Sequence, residues 1–376
     1  MAAEPPCTIG LAQAYLLGSR ATRALANPPP EMFAQCEAAL GGRVSPEFLR
    51  SQIEVGTLPH GTLQEARQDL AHLRRTVSQV AADFDLAIIA ASTHPFAHWR
   101  AQKTTPKERY SALEKDLQGV VRRLLICGMH VHVGIDDPDL RVDLMNQFAY
   151  FTPHLLALST SSPFWEGQDQ GLQSYRLSVF NELPRTGTPD EFNSFAEYQR
   201  HVEILVNAGV IEDATKIWWD IRPSARYPTV ETRICDMCTR LDDAMCIAAC
   251  TVCLLGMLCR LRRNNQRWRR YSRLLIEENR WRAQRYGLDE GLLDLGIGRI
   301  VPYRDLFGEI VELGAGTATD IGCRRELAHG FDIIDRGTSA HNQRRVYHQA
   351  LEAGADEPEA LKAVVDFLIE ETVRDL

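Results

Sequence analysis

Four segments of this chain share one pattern, and that pattern limits the possible fold more than any other feature. In "RSQIEVGT" (50–57), Gln52 and Glu54 stand opposite Ile53 and Val55. "GMHVHVG" (128–134) sets His130 and His132 against Met129, Val131 and Val133. "KIWWDIRPS" (216–224) sets Trp218, Asp220 and Arg222 against Ile217, Trp219 and Ile221, and "VETRICD" (230–236) sets Glu231 and Arg233 against Val230, Thr232 and Ile234. Successive side chains of a strand point to opposite faces, so each segment has one apolar face and one polar face. A half-exposed antiparallel sheet alternates by default. Surface strands, however, favour Thr, Lys and Ser, and rarely gather carboxylates, imidazoles and arginines together with tryptophan. The polar face therefore reads as a functional hollow.

Two further strands fit this sheet. "TIGLAQAYLL" (8–17) places Ile9, Leu11, Gln13 and Tyr15 on one face and Ala12 and Ala14 on the other, and "LAIIAAST" (86–93) is apolar throughout. Helical apolar spacing covers 63–83, 106–123, 139–158, 190–207, 241–261 and the Arg-rich 265–286. At the end, "DEPEALKAVVDFLIEETV" (356–373) has Asp356 as N-cap, Pro358 in the first turn and Glu359 as a capping-box partner. Leu361, Val364, Val365 and Leu368 form its inward stripe. The glycine-rich "LGAGTATDIG" (313–322) follows a helix and lacks a lysine, which makes it a weak phosphate loop.

Bulk properties exclude several classes of function. A net charge of -8 argues against general affinity for nucleic acid or anionic membrane. The arginines at 260, 262, 263, 267, 269, 270 and 273, around Trp268, read as a solvated helix face. "MAAEPPCTIG" has neither the basic start nor the apolar stretch of a signal peptide. The longest apolar run, residues 244–258, falls short of the roughly 20 that a membrane helix needs. A soluble, cytoplasmic protein is expected. Of the ten cysteines, Cys235-x-x-Cys238 and Cys250-x-x-Cys253 have metal-site spacing. The second pair lies inside "AMCIAACTVCLLGMLCR" with no turn to separate its thiols, so the cysteines read as reduced and structural.

Carboxylates with a histidine supply hard oxygen and nitrogen ligands suited to Mg²⁺ or Mn²⁺. Neighbouring arginines neutralise phosphate oxygens. Together they suit phosphoryl transfer, where the protein mainly positions groups and stabilises charge. From residues alone the reading stops at a metal- and anion-binding sheet that uses a nucleotide.

The ordered motifs carry it further. "SQIEVGT", "THPFA" (93–97), "GMHVHVG", "SSPFWEG" (161–167), "PRTGTP" (184–189), "WWDIRPS", "ETRICD" and "ENRWRAQRYG" (278–287) resemble the type 2 glutamate–cysteine ligase family of ATP-dependent carboxylate–amine ligases. The likeness runs from about residue 8 to 350. It implies a single α+β domain over 1–376 of the glutamine-synthetase-like catalytic type, with a curved antiparallel sheet forming a funnel and helices on its outer face. It also implies ATP, Mg²⁺ (or Mn²⁺), an acyl-phosphate intermediate, glutamate or a similar acid, an amine such as cysteine, and a homodimer. By position, Glu54, His130 and Glu231 fall where the family places metal ligands. Arg233 falls where a catalytic arginine faces the transferring phosphate, and Asn279 and Arg280 on the nucleotide side. Arg176, Arg185 and Arg222 are suited to a substrate carboxylate. Glu47, seven residues before Glu54, is a further acid that could join the site or lie on the surface.

One departure stands out. The family's first strand carries a run of glutamates, two of which point at metal ions. This chain has Ala12 and Ala14 there, with Gln13 between them. Alanine offers no ligand, yet fits without a clash. Two functions are therefore open: an ATP-dependent ligase that works with the remaining groups, and a catalytically impaired protein of the same fold that binds a nucleotide or amino acid in a regulatory role.

Overall fold

The computed structural model describes residues 8–374 and 376, with the side chains at 109 and 112 left aside; Cys7 and the rest of the N-terminal start lie outside the described residues. At its centre is strand β1 (Ile9–Ser19), followed along the chain by β2 (Val44–Pro46), β3 (Gln52–Gly56), β4 (Leu86–Ile89), β5 (Met129–Gly134), β6 (Ile221–Pro223) and β7 (Thr229–Thr232). They form one seven-stranded sheet in the order β6-β7-β5-β1-β3-β2, with β4 on the same side of β1 as β5. Every pairing in it is antiparallel. The eleven residues of β1 serve three neighbours: β5 along 9–13, β3 along 12–16 and β4 along 16–19.

Alternation sorts the two faces as the sequence suggests. Ile9, Leu11, Gln13 and Tyr15 are buried, whereas Gly10, Ala12 and Ala14 are half-buried. Met129, Val131, Val133, Ile53, Val55 and Val230 join the same buried cluster. Helices Leu63–Ala82 and Leu241–Arg263 cover this face, the second packing along helix Tyr303–Asp320. Helix Leu63–Ala82 starts at a capping box in which Thr62 and Glu65 satisfy each other's backbone N–H groups. Helix Leu241–Arg263 has 23 residues, longer than its apolar run and long and apolar enough to cross a membrane, yet it is the core helix of the protein. The nine described cysteines are buried.

Several elements are shorter than the periodicity implies, each for a local reason. The helix expected over 106–123 breaks at Gln118, whose φ of 49° is left-handed. That over 139–158 is divided into Pro138–Phe148 and Thr152–Ser159 by a 3₁₀ turn, with Pro153 in the first turn of the second piece. The Arg-rich helix begins only at Arg273. Residues 313–320 continue helix Tyr303–Asp320, so no phosphate loop forms there. Segment 216–224 holds two short strands, Trp218–Trp219 and β6, because the carbonyl of Asp220 turns to accept the N–H groups of Arg233 and Ile234 at 2.7 and 3.2 Å.

The "THPFA" turn carries a testable acid sensitivity. His94 is 1% exposed, its Nε2 donates to the Arg23 carbonyl at 2.9 Å, and its Nδ1 accepts from Phe96 N and Ala97 N at 3.3 and 3.1 Å. Both ring nitrogens are satisfied only in the neutral form. Burial pushes this imidazole down to about 4. The unfolded chain therefore takes up the proton first, near 6.5, and stability falls as pH drops from about 6.5 to about 4, by on the order of 3 kcal/mol for this residue. Urea midpoints measured across that window are expected to fall less steeply for His94→Gln than for the native chain. Equal slopes would rule the account out.

Candidate active site

The polar face of the sheet carries a row of side chains set by strand register. Antiparallel partners lie directly opposite and share a face. Arg222 on β6 pairs with Glu231 on β7, Glu231 with His132 on β5, Ala12 on β1 with His130, and Ala14 with Glu54 on β3. The floor between the two ends is nearly bare. Gly10 lies opposite His132 and Gly56 opposite Ala12, so Gly10, Ala12, Ala14 and Gly56 leave a hollow. The acidic rim on one side and the imidazole–arginine rim on the other face each other across it.

On the β7 side, Glu231 is 2% exposed and gripped by two arginines. Arg222 donates to both its oxygens at 2.9 and 3.3 Å, and Arg233 Nη1 donates to Oε1. Arg222 also donates to the Ile217 carbonyl. Burial opposes the charge on Glu231, but Arg233 and Arg222 outweigh it and hold the carboxyl well below the usual range. Arg233 Nη1 lies 3.4 Å from His130 Nδ1, and His130 is 3.7 Å from Glu231. Burial, then the Arg233 charge, hold His130 well below its ordinary value, leaving a neutral imidazole with a lone pair to offer. His132 meets Thr229 Oγ1 at 2.9 Å and the exposed Tyr227 ring edge-on at 6.0 Å. Thr229 and Tyr227 escape the sequence reading, although Thr229 extends the every-second-residue pattern of Glu231 and Arg233.

On the β3 side, burial raises the Glu54 carboxyl to about 8, with the Glu47 carboxylate beside it the second cause. Glu47 thus lies beside Glu54. Two half-buried carboxylates side by side favour a proton or a cation between them. Among the described residues no three carboxylate, imidazole or thiol groups come together as a ready metal-binding set. The reasons are local: Ala12 and Ala14 bring no oxygen, and both oxygens of Glu231 face guanidinium groups. The two carboxylates Glu54 and Glu47 fit at most one hard cation, and His130 stands across the floor from them.

The remaining candidates make protein contacts. Arg176 is 3% exposed and donates from Nη1 and Nη2 to the carbonyls of Ile234 and Arg233, each at 3.1 Å. Arg280 is 4% exposed and forms a two-pronged ion pair with Asp220 at 2.6 and 3.1 Å. Both amide atoms of Asn279 pair with the backbone of Leu293 at 2.7 Å. Arg185 donates to the Lys216 carbonyl at 3.0 Å and lies over the Trp218 ring. The arginines around Trp268 are largely spent on acids of the same chain: Arg262 and Arg267 on Asp143, Arg270 on Glu191, Arg273 on Asp190.

Comparisons with known proteins agree with one another. The family described as glutamate–cysteine ligase family 2 matches residues 17–365. A protein of Rhodospirillum rubrum named "Putative glutamate–cysteine ligase 2" is 62% identical over 378 residues, covering 99% of this chain and 97% of its own length. One of the same name from Ruegeria pomeroyi is 53% identical over 98% of this chain and 95% of its own. The crystal structure of a glutamate–cysteine ligase from Francisella tularensis in complex with AMP shares the fold, with a TM-score of 0.65 over 98% of this chain and 89% of that one, at 14% identity.

Proposed function

Since the chain belongs to glutamate–cysteine ligase family 2 and has the glutamine-synthetase-like fold of such ligases, we propose that it joins the carboxylate of glutamate, or a similar acid, to an amine such as that of cysteine at the cost of ATP. The supporting observation is the row across five strands. Arginines and a neutral imidazole stand on one side of a bare hollow, and two carboxylates that favour a cation stand on the other.

The chemistry proposed is two substitutions. A substrate carboxylate oxygen attacks the γ-phosphorus of ATP, forming an acyl phosphate and releasing ADP. The amine nitrogen then attacks the acyl carbon, the C–O bond to phosphate breaks, and the nitrogen gives its proton to water. Arg233 faces the transferring phosphoryl group and stabilises its charge, with Glu231 and Arg222 fixing its direction. Glu54 and Glu47 would hold Mg²⁺ or Mn²⁺, with His130 across the floor from them, and that ion would supply positive charge for the phosphate oxygens. Phosphate release from ATP is expected only when glutamate and an amine are both present. Release that ignores the amine would remove the ligase reading.

A second reading rests on Ala12 and Ala14. They occupy the two floor positions between Glu54 and His130, where carboxylates would complete a cation site. A protein with this floor binds nucleotide or amino acid without efficient turnover. Calorimetric titration separates the two: nucleotide binding without amine-dependent release supports it, and fast release excludes it.

A further inference from the structure

The two arginines that the resemblance assigns to ligands, Arg176 and Arg280, converge on one short piece of backbone. Arg233 lies just past the end of β7, where no strand partner fixes its main chain. Its N–H goes to the Asp220 carbonyl at 2.7 Å, as does that of Ile234 at 3.2 Å. Arg280 holds the carboxylate of the same Asp220 through both prongs of its guanidinium, and Asn181 Oδ1 accepts from Nη2 at 2.9 Å. From the other side, Arg176 takes the carbonyls of Arg233 and Ile234. The Arg176 N–H is in turn held by Ser162 Oγ at 3.1 Å, and Ser162 donates to the buried Asp236 carboxylate at 2.7 Å. A Cβ on Gly128 would lie 2.5 Å from Arg176 Nη2, so that glycine leaves the space the guanidinium occupies.

We infer that Arg176 and the Arg280–Asp220 pair are positioning residues that clamp the backbone of Arg233 from both sides and so aim its guanidinium at the hollow, rather than groups that touch substrate or nucleotide. The role in turnover rests on the ligase reading above; the clamp itself does not. A planar guanidinium reaches two carbonyls at once, and the single ammonium of lysine cannot reproduce that geometry. Misplacing a charged group by about 1 Å costs up to ~100-fold in rate.

The test uses Arg176→Lys, Arg280→Lys and Gly128→Ala, each checked for a native melting transition. Gly128→Ala displaces Arg176 without removing any polar group, which keeps the test usable should a charge change prevent folding. Amine-dependent phosphate release is expected to fall about tenfold or more in kcat, with KM for glutamate and ATP within about twofold. Adding Arg176→Lys to Arg233→Ala is expected to cost nothing further, because a clamp has no effect once its load is gone. A raised KM for glutamate in Arg176→Lys, or for ATP in Arg280→Lys, or additive losses in the double variant, would overturn the inference. Hydrogen exchange provides a readout free of activity. The amides of Arg233 and Ile234 are expected to lose protection in the variants while those of β5 keep theirs. Unchanged protection at 233–234 overturns the clamp, whereas a native protein that releases no phosphate overturns only the ligase reading.

Discussion

Ala12→Glu combined with Ala14→Glu is expected to raise glutamate- and amine-dependent phosphate release about a hundredfold, and to make stability depend on Mg²⁺. The register decides both effects. Residue 14 lies opposite Glu54, and residue 12 opposite His130, so two new carboxylates would point into the hollow beside Glu54 and Glu47. One well-placed charged donor is worth about 10²–10³ in rate in enzymes that rely on it. The apo protein has to bear the added charge. Like charges directly opposite on neighbouring strands repel, and burial, with the Glu47 carboxylate second, already raises Glu54 to about 8. In chelator the double variant is therefore expected to melt below the native chain, and in millimolar Mg²⁺ to regain the loss by binding linkage. A native chain that already turns over near a typical enzyme rate, about 10 per second, with the double variant inactive, would show that the alanines belong to a working site.

How far the sequence reaches depends on the kind of signal. Alternation placed the polar face of five strands, because a one-residue slip in register moves every side chain to the other face and a buried face fixes the register. His130, Glu231, Arg233 and Glu54 share that face in the structure. Short elements left no such signal: the ribbons Phe164–Trp165 with Gln168–Asp169, and Leu292–Asp294 with Arg299–Val301, have too few residues to show a period. The Arg176 and Arg280 contacts were not readable either. An arginine in a loop or helix looks the same whether its donors reach a substrate or a backbone carbonyl ten or fifty residues away, and only the fold brings Arg233 O to Arg176. Asp220 illustrates the limit from within a strand: alternation gave it the polar face with Arg222, yet it is 1% exposed and serves Arg280.

Arg74→Leu is expected to lower stability by about 4 kcal/mol, the largest single-site loss in the molecule outside the apolar core. Arg74 sits in helix Leu63–Ala82 with no exposed surface, and its partners are all neutral. Nε donates to Gln13 Oε1 at 2.9 Å and Tyr15 OH at 3.2 Å, Nη1 to the Thr239 carbonyl at 2.7 Å, and Nη2 to the Cys238 carbonyl at 2.9 Å. A buried cation ordinarily has a carboxylate beside it. Here the nearest side-chain acceptor is an amide, at a position where the resemblance implies an acid. Leucine fills the volume but strands the buried Thr239 and Cys238 carbonyls, each costing about 1–3 kcal/mol with partial relaxation, while Gln13 Oε1 and Tyr15 OH keep only each other. Gln13→Glu reverses the logic by giving the guanidinium a counter-charge, and is expected to change stability by less than about 1 kcal/mol in the native background. The same change combined with Arg74→Leu buries a carboxylate alone and is expected to be far worse than the two single losses together, a coupling that urea titration of the four proteins measures. The network also joins the two faces of β1: Gln13 is anchored beneath the sheet while its neighbours Ala12 and Ala14 line the hollow above. Additive losses in that cycle, or an Arg74→Leu protein as stable as the native chain, would mean that this strand is positioned by its backbone pairing alone.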